Sequence, residues 1–368
     1  MRRREFLYLS AAVPAAALAA WPRRLKAVEP QLLPGWRTFE IVTSVEVAAP
    51  SGHTQLWLPL PASVSSEYQR LLSTNWDAKG ASHAELAVVP GYDVQLLHVD
   101  WSDAAAVRPV TLTHRVATRD RRVSLDAPPP ARARAAESAS TLKNYLRPTT
   151  FLPTDGIVRT TAQRICAARR DEIDKARALY EWVVENTTRD PKTPGCGIGD
   201  VGSMLRSGYL GGKCADINAL FVALARSVSI PARDAYGLRV ADSRLGYKSL
   251  GRSGDVSKAQ HCRAEFYARD YGWIPVDPAD VRKVMLEEVP GGLPVSDPKV
   301  QAARHALFGS WEMNWVAYNH GHDLALPGSA KRPIAFFMYP NAETGGERIN
   351  SLDPATFRYE IHSRELES

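Results

Sequence analysis

The hydrophobic period of the chain changes along its length, and that change limits the fold more than any other feature. From about Trp36 to Leu125, apolar and polar residues alternate. In "TFEIVTSVEV" the residues Phe39, Ile41, Thr43, Val45 and Val47 share one parity. "TQLWLPLP", "DVQLLHVDW" and "PVTLTHRVAT" follow, separated by Pro, Gly and Ser. A period of two with such punctuation marks short strands, so 36–125 predicts a small β-sandwich. "DAPPPARARAAESAS" opens a linker over 126–154. From Asp155 to Val289 the period turns helical. Ala176, Leu179, Tyr180, Val183 and Val184 form one stripe, and Ile217, Leu220, Phe221, Leu224 and Val228 another, closed by Pro231. "ARDAYGLRV", "QHCRAEFYARD" and "YGWIPVDP" then read as strands. A helical half before a sheet half is the α+β arrangement. Residues 290–368 read as an extension with a helix in "VQAARHALFGSWEMNWVAYN" and two strands, "RPIAFFMYP" and "TFRYEIHSREL". A length of 368 residues has room for two or three such units.

The N-terminus predicts export. "MRRREFLYLSAAVPAAALAAW" has a basic start, an Ala-rich apolar stretch and an Ala17-Leu18-Ala19 cleavage pattern. Arg3 and Arg4 followed by Phe6 and Leu7 resemble a twin-arginine signal, so residues 1–19 are set apart from the fold. The mature protein is expected in the periplasm or outside the cell. No later stretch is long and apolar enough for stable membrane insertion. The formal charge is +6. Removing Arg2, Arg3, Arg4 and Glu5 leaves +4, spread along the chain. The densest basic run, "RDRRV" at 119–123, reads as a solvated turn and not a nucleic-acid face.

Of four cysteines (Cys166, Cys196, Cys214 and Cys262), one has a special setting. Cys214 follows Gly211, Gly212 and Lys213 and opens a helical stripe. The first turn of a helix has unpaired N–H groups and a partial positive charge, which favour a thiolate over a thiol. The glycines allow close approach of backbone or substrate, and the Cys214 N–H is placed to donate to an oxyanion. A long glycine-rich loop, "DPKTPGCGIGDVGSMLRSGYLGG", precedes it. Spacings fit no zinc pattern, there is no C-x-x-C, and pairing among Cys166, Cys196 and Cys262 stays open.

A thiolate nucleophile needs a base, and the base needs an orienting group. His261 and Asp277 lie on consecutive strands joined by "ARDYG". If Tyr267 pairs with Trp273, Arg263 faces Asp277, and His261 sits diagonal to it on the same sheet face. A slip of one residue would send Asp277 to the other face. Cys262 points away from His261 in a regular strand. Asp216 reads as a first-turn charge complementing the helix dipole.

The order Cys, His, Asp within "GGKCADINALF", "QHCRAEFY" and "YGWIPVDP" resembles the transglutaminase-like superfamily over about residues 175–280. The resemblance implies a core in which the Cys-bearing helix packs on an antiparallel sheet, over 155–289, preceded by the β-domain. It implies Cys214 as nucleophile, His261 as base and acid, and Asp277 as the group orienting the imidazole. Cys262 and Arg263 stand where the family often has Ala and Trp. The second oxyanion donor is left open among Gln260, Trp182 and Asn186, with Gly212 and Trp273 as further cleft candidates.

The resulting expectation is an exported thiol-dependent acyl-transfer enzyme, a cysteine peptidase or amidase acting on peptide, protein or cell-wall peptide amides. A cross-linking transamidase and a catalytically silent binding or assembly module are the alternatives. No cofactor or calcium site is expected. His320, His322 and Asp323 read as local hydrogen-bonding groups and not metal ligands. Trp311, Trp315 and Tyr318 have helical spacing and read as core.

Overall fold

The computed structural model describes residues 35–63, 66–92, 94–125 and 137–367. The expected export signal and residues 126–136 of the expected linker lie outside these. In chain order the first strands are β1 (Arg37–Val47), β2 (Thr54–Pro59), β3 (Gln69–Asp77), β4 (His83–Val89), β5 (Val94–Trp101), β6 (Val110–Thr118) and β7 (Arg121–Arg122). Helices α1 (Ala139–Asn144), α2 (Gly156–Cys166) and α3 (Glu172–Asn186) follow, then β8 (Thr188–Arg189), α4 (Val201–Ser207) and β9 (Gly211–Gly212). The central part holds α5 (Cys214–Ser227), β10 (Ala232–Arg239), β11 (Gly254–Asp255), β12 (Gln260–Ala268), β13 (Gly272–Val276) and α6 (Pro278–Glu287). The chain ends with α7 (Pro298–Ala306), β14 (Ser310–Trp311), β15 (Trp315–Asn319), β16 (Asn341–Thr344), β17 (Glu347–Arg348) and β18 (Phe357–Leu366).

Two five-stranded sheets, ordered β11-β18-β1-β6-β3 and β17-β16-β2-β5-β4, form the strand-rich region that precedes the core. Alternation along β1 aims Val45 and Val47 at Leu56, Leu58, Val99 and Trp101 between the sheets. Each sheet also takes strands from the C-terminal segment, since β18 pairs with β1 and β16 with β2. The third sheet, β13-β12-β10-β15, is antiparallel and carries the helices. Phe39, Ile41 and Val116 of the sandwich pack with Leu238, Val316 and Tyr318 of this sheet.

Helix α5 is more deeply set than its stripe suggested. Every residue from Cys214 to Arg226 is buried. A helix that is buried on all sides sits inside a core and not on its surface. Here α2, α3 and α6 surround it, and β12 and β10 lie along it.

The C-terminal segment departs from its pattern. Helix α7 stops at Ala306, and Trp311, Trp315 and Tyr318 stand on strands and not on a helix. Each indole N–H donates to a backbone carbonyl, Trp311 to Val276 at 3.1 Å and Trp315 to His261 at 3.0 Å. Those tertiary bonds and near-total burial override the i, i+4, i+7 spacing. "RPIAFFMYP" forms only an isolated bridge at Ile334, and the strand lies later, at Asn341–Thr344. "RDRRV" is a solvated turn only in part, with Arg119, Asp120 and Arg122 exposed. Arg121 is buried and donates to Glu265, which also takes Arg233 at 2.5 Å.

Candidate active site

Cys214 is the first residue of α5 and lines a cleft of about 960 Å³ with His261 and Gln260. Asp216, two residues on, fixes this helix start. One of its carboxylate oxygens accepts the N–H groups of Ile198 (3.0 Å) and Gly199 (2.9 Å), and the other that of Lys213 (2.9 Å). The role is thus larger than a dipole complement, because Asp216 ties the glycine-rich loop to the helix. The glycines make room for it. A Cβ on Gly197, whose φ is +92°, would fall 1.8 Å from a carboxylate oxygen of Asp216, and one on Gly212 would fall 2.3 Å away.

Strands β12 and β13 pair with Tyr267 opposite Trp273 and Ala264 opposite Val276. This register brings His261 Nε2 to 2.8 Å from Asp277 Oδ2, both buried. Asp277 directly follows β13 as the N-cap of α6, where its other oxygen accepts the Asp280 N–H at 3.0 Å. Asn218, one turn after Cys214, donates to that oxygen at 3.3 Å and to the Cys262 carbonyl at 2.8 Å. Asp280 adds a second carboxylate 3.3 Å from His261 Nε2, and Arg239 pairs with it. Arg263 lies 3.6 Å from Asp277 and packs on the Trp311 and Trp315 rings.

Electrostatics in this buried cluster favour separated charge. The neighbouring Cys196 and Cys262 side chains, joined by the His261 contact, outweigh burial and hold Cys214 well below the usual thiol range. Burial and Arg239 act to lower His261, but Asp280 and then Asp277 outweigh them, so its imidazolium is stabilised. Burial, then the Asp280 charge, pushes Asp277 up against the pull of His261. Asp280 is held low despite burial, chiefly by Arg239 and then His261. Burial brings Arg263 down to about 10.

The other sequence candidates separate. Gln260 is buried at the cleft wall, and its side-chain amide nitrogen has no partner among the described residues. Trp182 and Trp273 do not border the cleft: Trp182 packs on the helical core, and Trp273 donates to Glu137 under Arg233. Asn186 is exposed and bonds the Trp182 carbonyl. Gly212 pairs with Arg189 and packs on Asp216, outside the cleft lining. His322 meets Asp234 at 3.1 Å, His320 bonds the Asp234 carbonyl, and Asp323 accepts the Thr150 N–H. Cys262 does face away from His261 along β12, but this points it at α5. Its sulfur and those of Cys196 and Cys214 lie within 4.8 Å of one another. All four cysteines are free thiols. Asn218, Arg239 and Asp280 went unnoticed in the sequence, and Cys196 was read only as a cysteine of open pairing. The D-P-A-D helix start, with Asp at the cap and again three residues on, was the available signal for Asp280.

Residues 159–278 match the family model of the transglutaminase-like superfamily. An uncharacterized protein of Haemophilus influenzae is 37% identical over 346 residues, covering 89% of this chain and 91% of its own length. Among solved structures, a "Putative Cysteine Protease" from Cytophaga hutchinsonii has a TM-score of 0.55 at 15% identity, covering 90% of this chain and 92% of that one. The periplasmic domain of TgpA from Pseudomonas aeruginosa has a TM-score of 0.36 at 12% identity, covering 73% of this chain and 92% of that one. The chain belongs to the transglutaminase-like superfamily. No helix among the described residues is long and apolar enough to cross a membrane.

Proposed function

We propose that this protein is an exported thiol-dependent acyl-transfer enzyme that hydrolyses peptide or protein amides through a thioester on Cys214. The observation carrying this reading is the Cys214–His261–Asp277 arrangement at the wall of an open cleft. The Cys214 thiolate attacks the amide carbonyl, and the His261 imidazolium gives its proton to the leaving amine. Asp277 holds the ring and stabilises its charge, and Asp280 adds to that field. The Cys214 N–H and the Gln260 amide are the donors for the oxyanion. His261 then takes a proton from water, which releases the acyl group. Water is the preferred acceptor because the cleft is broad enough to admit it. The N-terminal signal pattern supports export.

A minimal acyl donor tests the proposal. The purified protein is given p-nitrophenyl acetate and mapped by mass spectrometry. The proposal expects a transient acetyl group on Cys214 and release of p-nitrophenol, both lost in Cys214→Ala with the fold retained. Absence of Cys214 acylation would favour a silent binding or assembly module.

A further inference from the structure

Three thiols surround one reaction centre, and they are not equivalent. Cys196, Cys214 and Cys262 hold their sulfurs within 4.8 Å of one another. Cys262 lies in the middle of the sheet, is fully buried, and does not border the cleft. Cys196 and Cys214 both line it. Their backbones are tied, because the Ala215 N–H donates to the Cys196 carbonyl at 2.9 Å. Cys196 sits between Gly195 and Gly197, both at positive φ, and its thiol donates to the Gln260 carbonyl at 3.2 Å. Cys196 is therefore the thiol beside Cys214 that a small oxidant can reach.

We propose that Cys196 is a resolving thiol, which closes a reversible disulfide on Cys214 after a hydroperoxide oxidises it. This rests on the reading of Cys214 as a reactive thiolate. The thiolate attacks a peroxide oxygen; an S–O bond forms and the O–O bond breaks. Hydroxide or alkoxide leaves and is protonated by water, and Cys214 becomes a sulfenic acid. Cys196 sulfur then attacks Cys214 sulfur. The S–S bond forms, the S–O bond breaks, and the Cys196 proton departs with the hydroxyl as water. Two thiols are oxidised by two electrons and the peroxide is reduced by two. A dithiol reductant reverses the step by exchange. The disulfide occupies the nucleophile, so acyl transfer stops before sulfur is lost to irreversible oxidation.

The protein is reduced, freed of reductant, exposed to tert-butyl hydroperoxide and mapped without reduction. The expected product is a Cys196–Cys214 linked peptide lighter by two hydrogen atoms. Iodoacetamide labelling of Cys214 is then lost and returns with a phosphine reductant. In Cys196→Ser, dimedone traps the Cys214 sulfenic acid, and longer exposure gives sulfinic acid that no phosphine reverses. A link to Cys262 instead, or sulfinic acid in the wild-type protein with no disulfide, overturns the proposal. If Cys214 alkylates readily below neutral pH yet forms no disulfide, this inference falls and the acyl-transfer reading stands. If Cys214 resists both reagents, the reading itself falls.

The charge of the cleft carries a second inference independently. Lys213, Lys248, Arg252 and Lys258 line it; none makes a close salt bridge among the described residues, and Arg252 and Lys213 act only at longer range on Asp255 and Asp190. Glu287, one of two acidic residues lining it, is already held by Arg189 and Lys283. A wall in which cations outnumber carboxylates around the nucleophile points to an acyl donor flanked by carboxylates. Fluorescence anisotropy on Cys214→Ala protein tests this without requiring turnover. Two labelled peptide amides are used, alike except for Glu or Lys at the flanking positions. The Glu peptide is expected to bind at least about 10-fold tighter at low salt, with the gap closing as salt rises or with Lys258→Glu. Equal affinity, preference for the Lys peptide, or binding of neither overturns this inference and leaves the chemistry of Cys214 untouched.

Discussion

Asp216→Ala tests what holds the nucleophile in place. The carboxylate accepts three backbone N–H groups, from Ile198, Gly199 and Lys213, at 2.9–3.0 Å. The Gly199 bond is buried and the other two are partly buried. A buried donor left without a partner costs roughly 1–3 kcal/mol, and donors that water can reach cost roughly 0.5–1.5 kcal/mol each. Burial also pushes the Asp216 carboxyl up, so removing it relieves some desolvation. The net loss comes to about 3 kcal/mol. With an unfolding entropy of about 2.1 cal/mol/K per residue, a unit of about 340 residues loses about 4 °C in Tm. Calorimetry and a urea titration read this directly. Loss of the tie between loop and helix also frees Cys196 and the first turn of α5, so Cys214 alkylation below neutral pH should slow. A Tm within about 1 °C of wild type, with unchanged Cys214 reactivity, would refute the assignment of Asp216 as the anchor.

Four further outcomes are expected. Asp277→Asn should lower kcat by roughly 10³-fold or more with little change in KM, since the imidazole loses its orienting charge. Asp280→Asn removes the first of the groups that raise His261, so the imidazolium is lost at lower pH and the alkaline limb of the pH–rate profile moves down. Gln260→Ala should cost about 10²-fold in kcat if its unpartnered amide meets the oxyanion, again with KM little changed. Glu265→Ala leaves Arg121 and Arg233 without their buried carboxylate, and a lower urea midpoint should report a loss of roughly 3–5 kcal/mol.

Pattern made parts of this site readable in advance. A short turn between two alternating strands limits the pairing to a few registers, so "ARDYG" offered Tyr267–Trp273 as one of them, and the structure adopts it with His261 beside Asp277. The helix after Gly211 and Gly212 was equally plain from its apolar spacing. Contacts between distant segments left no such trace. Nothing local to Cys196 shows that its carbonyl meets Ala215 across a glycine-rich loop. The side of β12 facing away from His261 was visible, but not that α5 lies against it and brings Cys262 to Cys214. Trp311, Trp315 and Tyr318 misled because three aromatic residues on two short buried strands can mimic a helical stripe. "TFRYEIHSREL" was legible as a strand, but its pairing with β1, like that of Asn341–Thr344 with β2, was hidden, since partner choice across more than two hundred residues is set by the assembled sheet.

The pH dependence of Cys214 alkylation tests the central claim most directly. The wild-type protein and His261→Ala are treated with iodoacetamide across a pH series, and labelling is read peptide by peptide. An activated pair predicts half-maximal Cys214 reactivity well below pH ~7, with a rise toward ordinary thiol behaviour in His261→Ala. Reactivity that climbs only near pH ~8.5, identically in both proteins, would contradict the thiolate–imidazolium account.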